Sequence, residues 1–197
     1  MPHSTFTGTR DQAIRAQLTE QLAPLPVGAH APAFALPPVV RAAGRPAPQS
    51  GRRLQRRRAG RRPDWQALVL VFYPMDWEPV SREQLTLYQA YADSFDRLGA
   101  RLVGISCDHI YSHEAFAHDA QLHFPLLADW QPRGHMARQF GVFREGSGVC
   151  ARALFVLDAQ QYVRFGSVYP DPLNPGVDAA LTILEALAKG DETEQKR

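Results

Sequence analysis

The residues best placed to do chemistry lie where an apolar run turns polar, in Tyr73-Pro74-Met75-Asp76-Trp77-Glu78-Pro79-Val80-Ser81. A serine nucleophile needs a base beside it, and no histidine stands near Ser81 in the sequence. With Gln84 three residues on, Ser81 has instead the form of a capping box at a helix start. Glu78, taken alone, reads as a solvated loop carboxylate. Cys150 precedes Arg152 by two residues, so a strand beginning at or before Cys150 would put both side chains on one face. The bland reading of Cys150, and more so of Cys107, is a small buried apolar residue. His109 and His113 are four apart, but the turn between them breaks a shared helix face, and no histidine spacing points to a metal. No cofactor is implied.

These residues need elements to position them. The run 67–73 is apolar throughout and reads as a buried strand. Residues 81–98 read as a helix with Leu85, Tyr88, Ala92 and Phe95 on one stripe and Gly99 ending it. A strand at 101–106, a helix near 112–121, a short run at 124–127 and a short helix at 132–140 closed by Gly141 follow. Residues 152–157 and 162–168 read as a hairpin around 158–161, and 175–188 as a final helix. The alternation predicts an α/β fold with a central mixed, mostly parallel sheet flanked by helices. In domain terms, residues 5–26 form an N-terminal helical extension, 27–36 with 64–190 the folded domain, and 191–197 a disordered tail.

Residues 37–63 are mostly Pro, Gly, Ala and Arg, which cannot build a packed core and predict a loop or disordered insert. Its seven arginines between Arg52 and Arg62 dominate the charge: the chain is +2, but without them 15 basic residues face 20 acidic ones. The insert lacks interleaved aromatics and any nucleic-acid-binding fold, which argues against nucleic acid as a partner. Its composition is also what GC-rich coding sequence gives out of frame, and a degenerate insert is the reading adopted. The longest apolar stretch is too short to span a bilayer, so no membrane is expected. Two cysteines and an N-terminus without a basic, apolar leader point to the cytoplasm.

The segment from Pro74 to Ser81 resembles the peroxiredoxins of the alkyl hydroperoxide reductase and thiol-specific antioxidant type. There a proline, three residues, a threonine and two residues precede the peroxidatic cysteine. Pro74 matches, Glu78 stands for the threonine and Ser81 for the cysteine. Val103-Gly104-Ile105-Ser106, Phe124-Pro125-Leu126-Leu127-Ala128-Asp129, Gly141-Val142-Phe143-Arg144 and Arg152-Ala153-Leu154-Phe155-Val156-Leu157-Asp158 follow in the family's order.

The resemblance implies a thioredoxin-like fold and thiol-dependent reduction of hydrogen peroxide and organic hydroperoxides. It also implies a thioredoxin-like reductant and allows a homodimer. A free thiol, with a pKa near ~8.5, needs help to ionise at neutral pH; a helix N-terminus and the family's arginine, here Arg152, supply it. A serine hydroxyl barely ionises and forms no sulfenic acid. Activity is therefore expected to be lost or severely impaired, with Glu78 lying against Arg152 where the substrate would bind. The alternatives are a weak thiol peroxidase working through Cys150, or a non-catalytic scaffold or basic-loop binding protein.

Overall fold

The run from Ala67 becomes the centre of a sheet because every residue in it is apolar and both its faces are covered. In the computed structural model, which describes residues 22–33 and 65–194, strand β1 spans Ala67–Phe72 and is buried throughout. Strand β2, Ala100–Ser106, pairs parallel to it, with Val69 opposite Leu102. Strand β3, Leu126–Ala128, pairs parallel to β2. On the other side, β6, Arg152–Asp158, runs antiparallel to β1, and β7, Val163–Tyr169, antiparallel to β6. The order is β3-β2-β1-β6-β7. The sheet is mixed, as expected, with its parallel pairs on one side of β1 and its antiparallel pairs on the other. A helical crossover reverses the chain between β1 and β2, whereas β6 and β7 form a simple hairpin.

Alternation along β1 sends Leu68, Leu70 and Phe72 to one face and Val69 and Val71 to the other. The second face is covered by α1 (Pro79–Ala90), α2 (Ala92–Arg97), α3 (Ile110–Asp119) and α5 (Asp178–Glu194), through Leu85, Tyr88, Phe95, Phe116 and Leu184. The first face is covered by α4 (His135–Gln139), a small ribbon of β4 (Phe143–Arg144) and β5 (Val149–Cys150), and the segment around Ala31. Residues 22–33 are tied down by Leu25 N–H donating to the Phe140 carbonyl and Gly28 N–H to that of Val163. Gly141 permits this contact: at φ +68° it leaves no room for a Cβ, which would lie 1.8 Å from the Ala23 oxygen.

Most boundaries shift from the sequence reading by a few residues, and two helices differ by more. The helix expected at 81–98 begins two residues earlier, since Pro79 is preorganised for a first helical turn, and it is divided at Tyr91, where φ is −100° and ψ 9°. The break keeps the predicted stripe: Tyr88 and Phe95 stack with ring centroids 5.7 Å apart. The final helix runs to Glu194, past the end of its apolar period at Leu187 and through Gly190, an extension that no apolar period announces. It thereby takes in part of the expected disordered tail. The insert at 37–63 and nearly all of the predicted N-terminal helix fall outside the described residues. Among the described residues, no helix is long and apolar enough to cross a membrane.

Candidate active site

The carboxyl end of β1 delivers the chain to the N-terminus of α1 through a tight turn. Trp77 takes a left-handed φ of 64°, an uncommon conformation for a bulky residue, and its ring rests on Phe116 while its indole N–H reaches the Ser112 hydroxyl at 3.3 Å. That turn leaves Glu78 as the N-cap of α1. Its Oε1 accepts from Val80 N–H at 3.0 Å and its Oε2 from Ser81 N–H at 2.6 Å, and a carboxylate is favoured there by the helix dipole.

Ser81 is therefore not the cap. It sits inside the first turn, fully buried, and its hydroxyl donates to Glu78 Oε2 at 2.7 Å. The expected capping box fails because its acceptor role is taken by the glutamate three residues earlier, whose longer side chain folds back on both amides. Gln84, the expected second member of the box, instead turns to Arg152.

Arg152 opens β6 beside α1 and is fully buried. Its Nη2 donates to Glu78 Oε2 at 2.8 Å, Nη1 to Gln84 Oε1 at 2.7 Å and Nε to the Asp171 carbonyl at 3.0 Å. Burial alone would raise the Glu78 carboxyl, but hydrogen bonds from the Ser81 hydroxyl, Arg152 and the two helix amides hold it below the usual range. The structure thus brings Glu78, Ser81 and Arg152 into one constellation at the helix N-terminus, with Gln84 completing it. The Gln84 Nε2 is buried without a hydrogen-bond partner among the described residues. Pro74 is buried in the turn behind them.

Cys150 lies elsewhere. The shared face with Arg152 required a strand continuous through Cys150, and the strand is interrupted at Ala151, whose N–H turns to the Val142 carbonyl at 2.7 Å, leaving Cys150 the small buried residue of the bland reading. Alternation is lost there, and Cys150 enters the core cluster on the opposite side of the sheet, with Phe72 and Phe155. Its hydrogen bond to Cys107 and its burial push its thiol well up.

Sequence reasoning missed two groupings. Asp76 and His113 are buried and paired, with Nδ1 2.9 Å from Oδ2, while His113 Nε2 faces the Leu127 carbonyl at 3.2 Å and Tyr73 donates its hydroxyl to Asp76 Oδ1 at 2.9 Å. Asp76 N–H in turn donates to Asp108, so the turn carrying Glu78 is pinned to the loop after β2. The aspartate in the quoted motif was the available signal. The second grouping is Cys107, Asp129 and Cys150, whose ligand atoms all lie within 4.8 Å of one another. No spacing rule joins residues from three separate elements.

Comparison with known proteins gives this geometry a lineage. Residues 27–165 match the family model described as AhpC/TSA family. YkuU of Bacillus subtilis is 33% identical over 129 residues, covering 62% of this chain and 71% of that protein. Peroxiredoxin 2 of Thermoplasma acidophilum is 32% identical over 126 residues, 60% of this chain and 62% of that one. Among solved structures, the peroxidoxin BcpB of Mycobacterium tuberculosis is 29% identical with a TM-score of 0.64, covering 81% of this chain and 96% of the other. The sheet and its flanking helices are those of the thioredoxin-like peroxiredoxin fold, and the chain belongs to the AhpC/TSA family.

Proposed function

We propose that this chain is a peroxiredoxin whose hydroperoxide-reducing chemistry is lost or severely impaired, its active site closed by an internal ion pair. In the family reaction as the resemblance carries it over, a thiolate at position 81 attacks the peroxide and Arg152 steadies the charge. The carrying observation is the 2.8 Å contact between Arg152 and Glu78, the carboxylate that also holds the Ser81 hydroxyl at 2.7 Å. A fixed anion occupies the guanidinium that a hydroperoxide would need, and an alcohol stands where sulfur would be oxidised. The inherited substrate is a hydroperoxide, the inherited reductant thioredoxin-like, and the compartment the cytoplasm, which a chain with two cysteines fits better than a disulfide scaffold would. A homodimer fits the same inheritance.

The test restores the chemistry in steps, in a chain carrying Cys107→Ser and Cys150→Ser so that every turnover belongs to position 81. Ser81→Cys alone should consume hydrogen peroxide slowly with excess small-molecule thiol. Adding Glu78→Thr should raise the rate about tenfold, since a carboxylate beside a thiol that raises its pKa by about one unit cuts the thiolate fraction by that factor near pH 7. Equal rates in the two variants would overturn the inhibitory role of Glu78, and unimpaired turnover by the native chain would overturn the loss itself.

A further inference from the structure

The chain has only two cysteines, and the fold brings them together across 43 positions of sequence. Cys107 follows β2 and Cys150 ends β5, and their sulfurs lie 3.5 Å apart with neither side chain more than 1% exposed. An arginine clips the same two segments: Arg133 Nη1 donates to the Cys107 carbonyl at 3.1 Å and Nε to the Gly148 carbonyl at 2.7 Å. The sulfurs are therefore held as neighbours by contacts that do not involve them. Hydrogen-bonded to each other, they are one small displacement from a bond, since an S–S bond near ~2.05 Å requires the gap to close by about 1.5 Å. The β4–β5 ribbon, two residues on each strand, has few ladder bonds to resist that movement.

We propose that Cys107 and Cys150 are a redox dithiol that hydrogen peroxide converts to an intramolecular disulfide. One sulfur, deprotonated, attacks a peroxide oxygen; the O–O bond breaks, an S–O bond forms, and the departing hydroxide takes a proton to become water. The second sulfur then displaces the hydroxyl of that sulfenic acid, breaking S–O, forming S–S and releasing a second water. The two sulfurs supply the two electrons that reduce one peroxide to two waters, and a dithiol reductant reverses the step by exchange. Burial makes the oxidation slow, because peroxide must wait for the loop after β2 to open. The pair lies across the sheet from Arg152, so the step needs nothing from position 81.

The full chain, reduced and stripped with a chelator, is exposed to graded hydrogen peroxide, quenched, denatured in a thiol-alkylating reagent and weighed intact. The expected product is a monomer lighter by two hydrogens and carrying no alkyl group, growing with peroxide and time. Dithiothreitol should restore two alkylation sites, and the oxidised chain should melt roughly 5–15 °C higher. Cys107→Ser and Cys150→Ser should each abolish that species; should either fail to fold, the native mass remains decisive, because two cysteines allow one intramolecular disulfide. Complete double alkylation after peroxide, or disulfide-linked dimers alone, would overturn the proposal. So would stoichiometric zinc released from protein not treated with chelator, since Asp129 and the two thiols would then be a metal site.

Discussion

Replacing Glu78 by glutamine tests the ion pair at the level of stability. The substitution keeps the side chain's size and removes its charge, leaving the fully buried Arg152 with only the Gln84 amide oxygen and the Asp171 carbonyl as acceptors. Breaking a buried pair by removing one partner costs about 3–5 kcal/mol. Glu78 keeps a quarter of its side-chain surface exposed, so water can partly replace it, and the lower figure applies. A glutamine amide oxygen can still accept from one of the two helix amides, limiting the loss of the cap to about 1 kcal/mol or less. A total near ~3 kcal/mol should lower Tm by roughly 6–12 °C for a chain of this size and reduce the urea midpoint at an unchanged slope.

The pH dependence carries the sign. Glu78 is depressed in the folded state, so its stabilisation is fully present above the unfolded carboxylate pKa near ~4.3 and is lost as pH falls through the folded value. The stability difference between the native chain and Glu78→Gln should therefore be constant from neutral pH to about pH 5 and shrink below it. Asp108 and Asp129, both pushed up chiefly by burial, titrate in both chains and cancel in the difference. Adding Arg152→Met to Glu78→Gln should recover part of the loss, because the uncompensated charge is gone. A native-to-variant difference under about 1 kcal/mol at pH 7, or one that stays flat to pH 3, would refute the reasoning.

Two further outcomes follow from the packing. His113→Ala leaves the buried Asp76 carboxylate without its hydrogen-bond partner at Nδ1 and should cost about 1–3 kcal/mol in urea denaturation, more than Ala substitution at the exposed His118. Gly141→Ala must displace residues 22–26, since its Cβ would meet the Ala23 oxygen; amide exchange at Leu25, whose N–H is held by Phe140, should quicken while exchange in β1 stays slow.

The strands of the five-stranded sheet were legible because burial on both faces writes itself as an unbroken apolar run, as in Ala67–Phe72, and because Arg152 to Tyr169 reads as a hairpin, though not its irregularity at Val156 and Leu157; the two-residue strands β4 and β5 are too short to show a period. What decides the site was less so. The start of α1 depends on which side chain folds back onto its free amides, and Ser81 and Glu78 both qualify by composition. Only the left-handed turn at Trp77 selects Glu78, and no spacing announces a left-handed tryptophan. The pairing of Glu78 with Arg152, 74 residues apart, was reached through the family resemblance, not through periodicity, which says nothing about contacts between elements. Cys107 and Cys150 had no such guide. Alternation read across Ala151 would place Cys150 on the wrong face, because it assumes a continuous strand and one residue out of register moves a side chain through the sheet. A resemblance carries a site's positions, but this chain changes the residues at two of them. What the new residues do is decided by their contacts, and a carboxylate that caps a helix while neutralising a buried arginine stabilises the fold with the same bonds that close the pocket. Glu78 is thereby hard to remove without loss: a variant that reopens the arginine to an anion must first give up part of what holds α1 to β6.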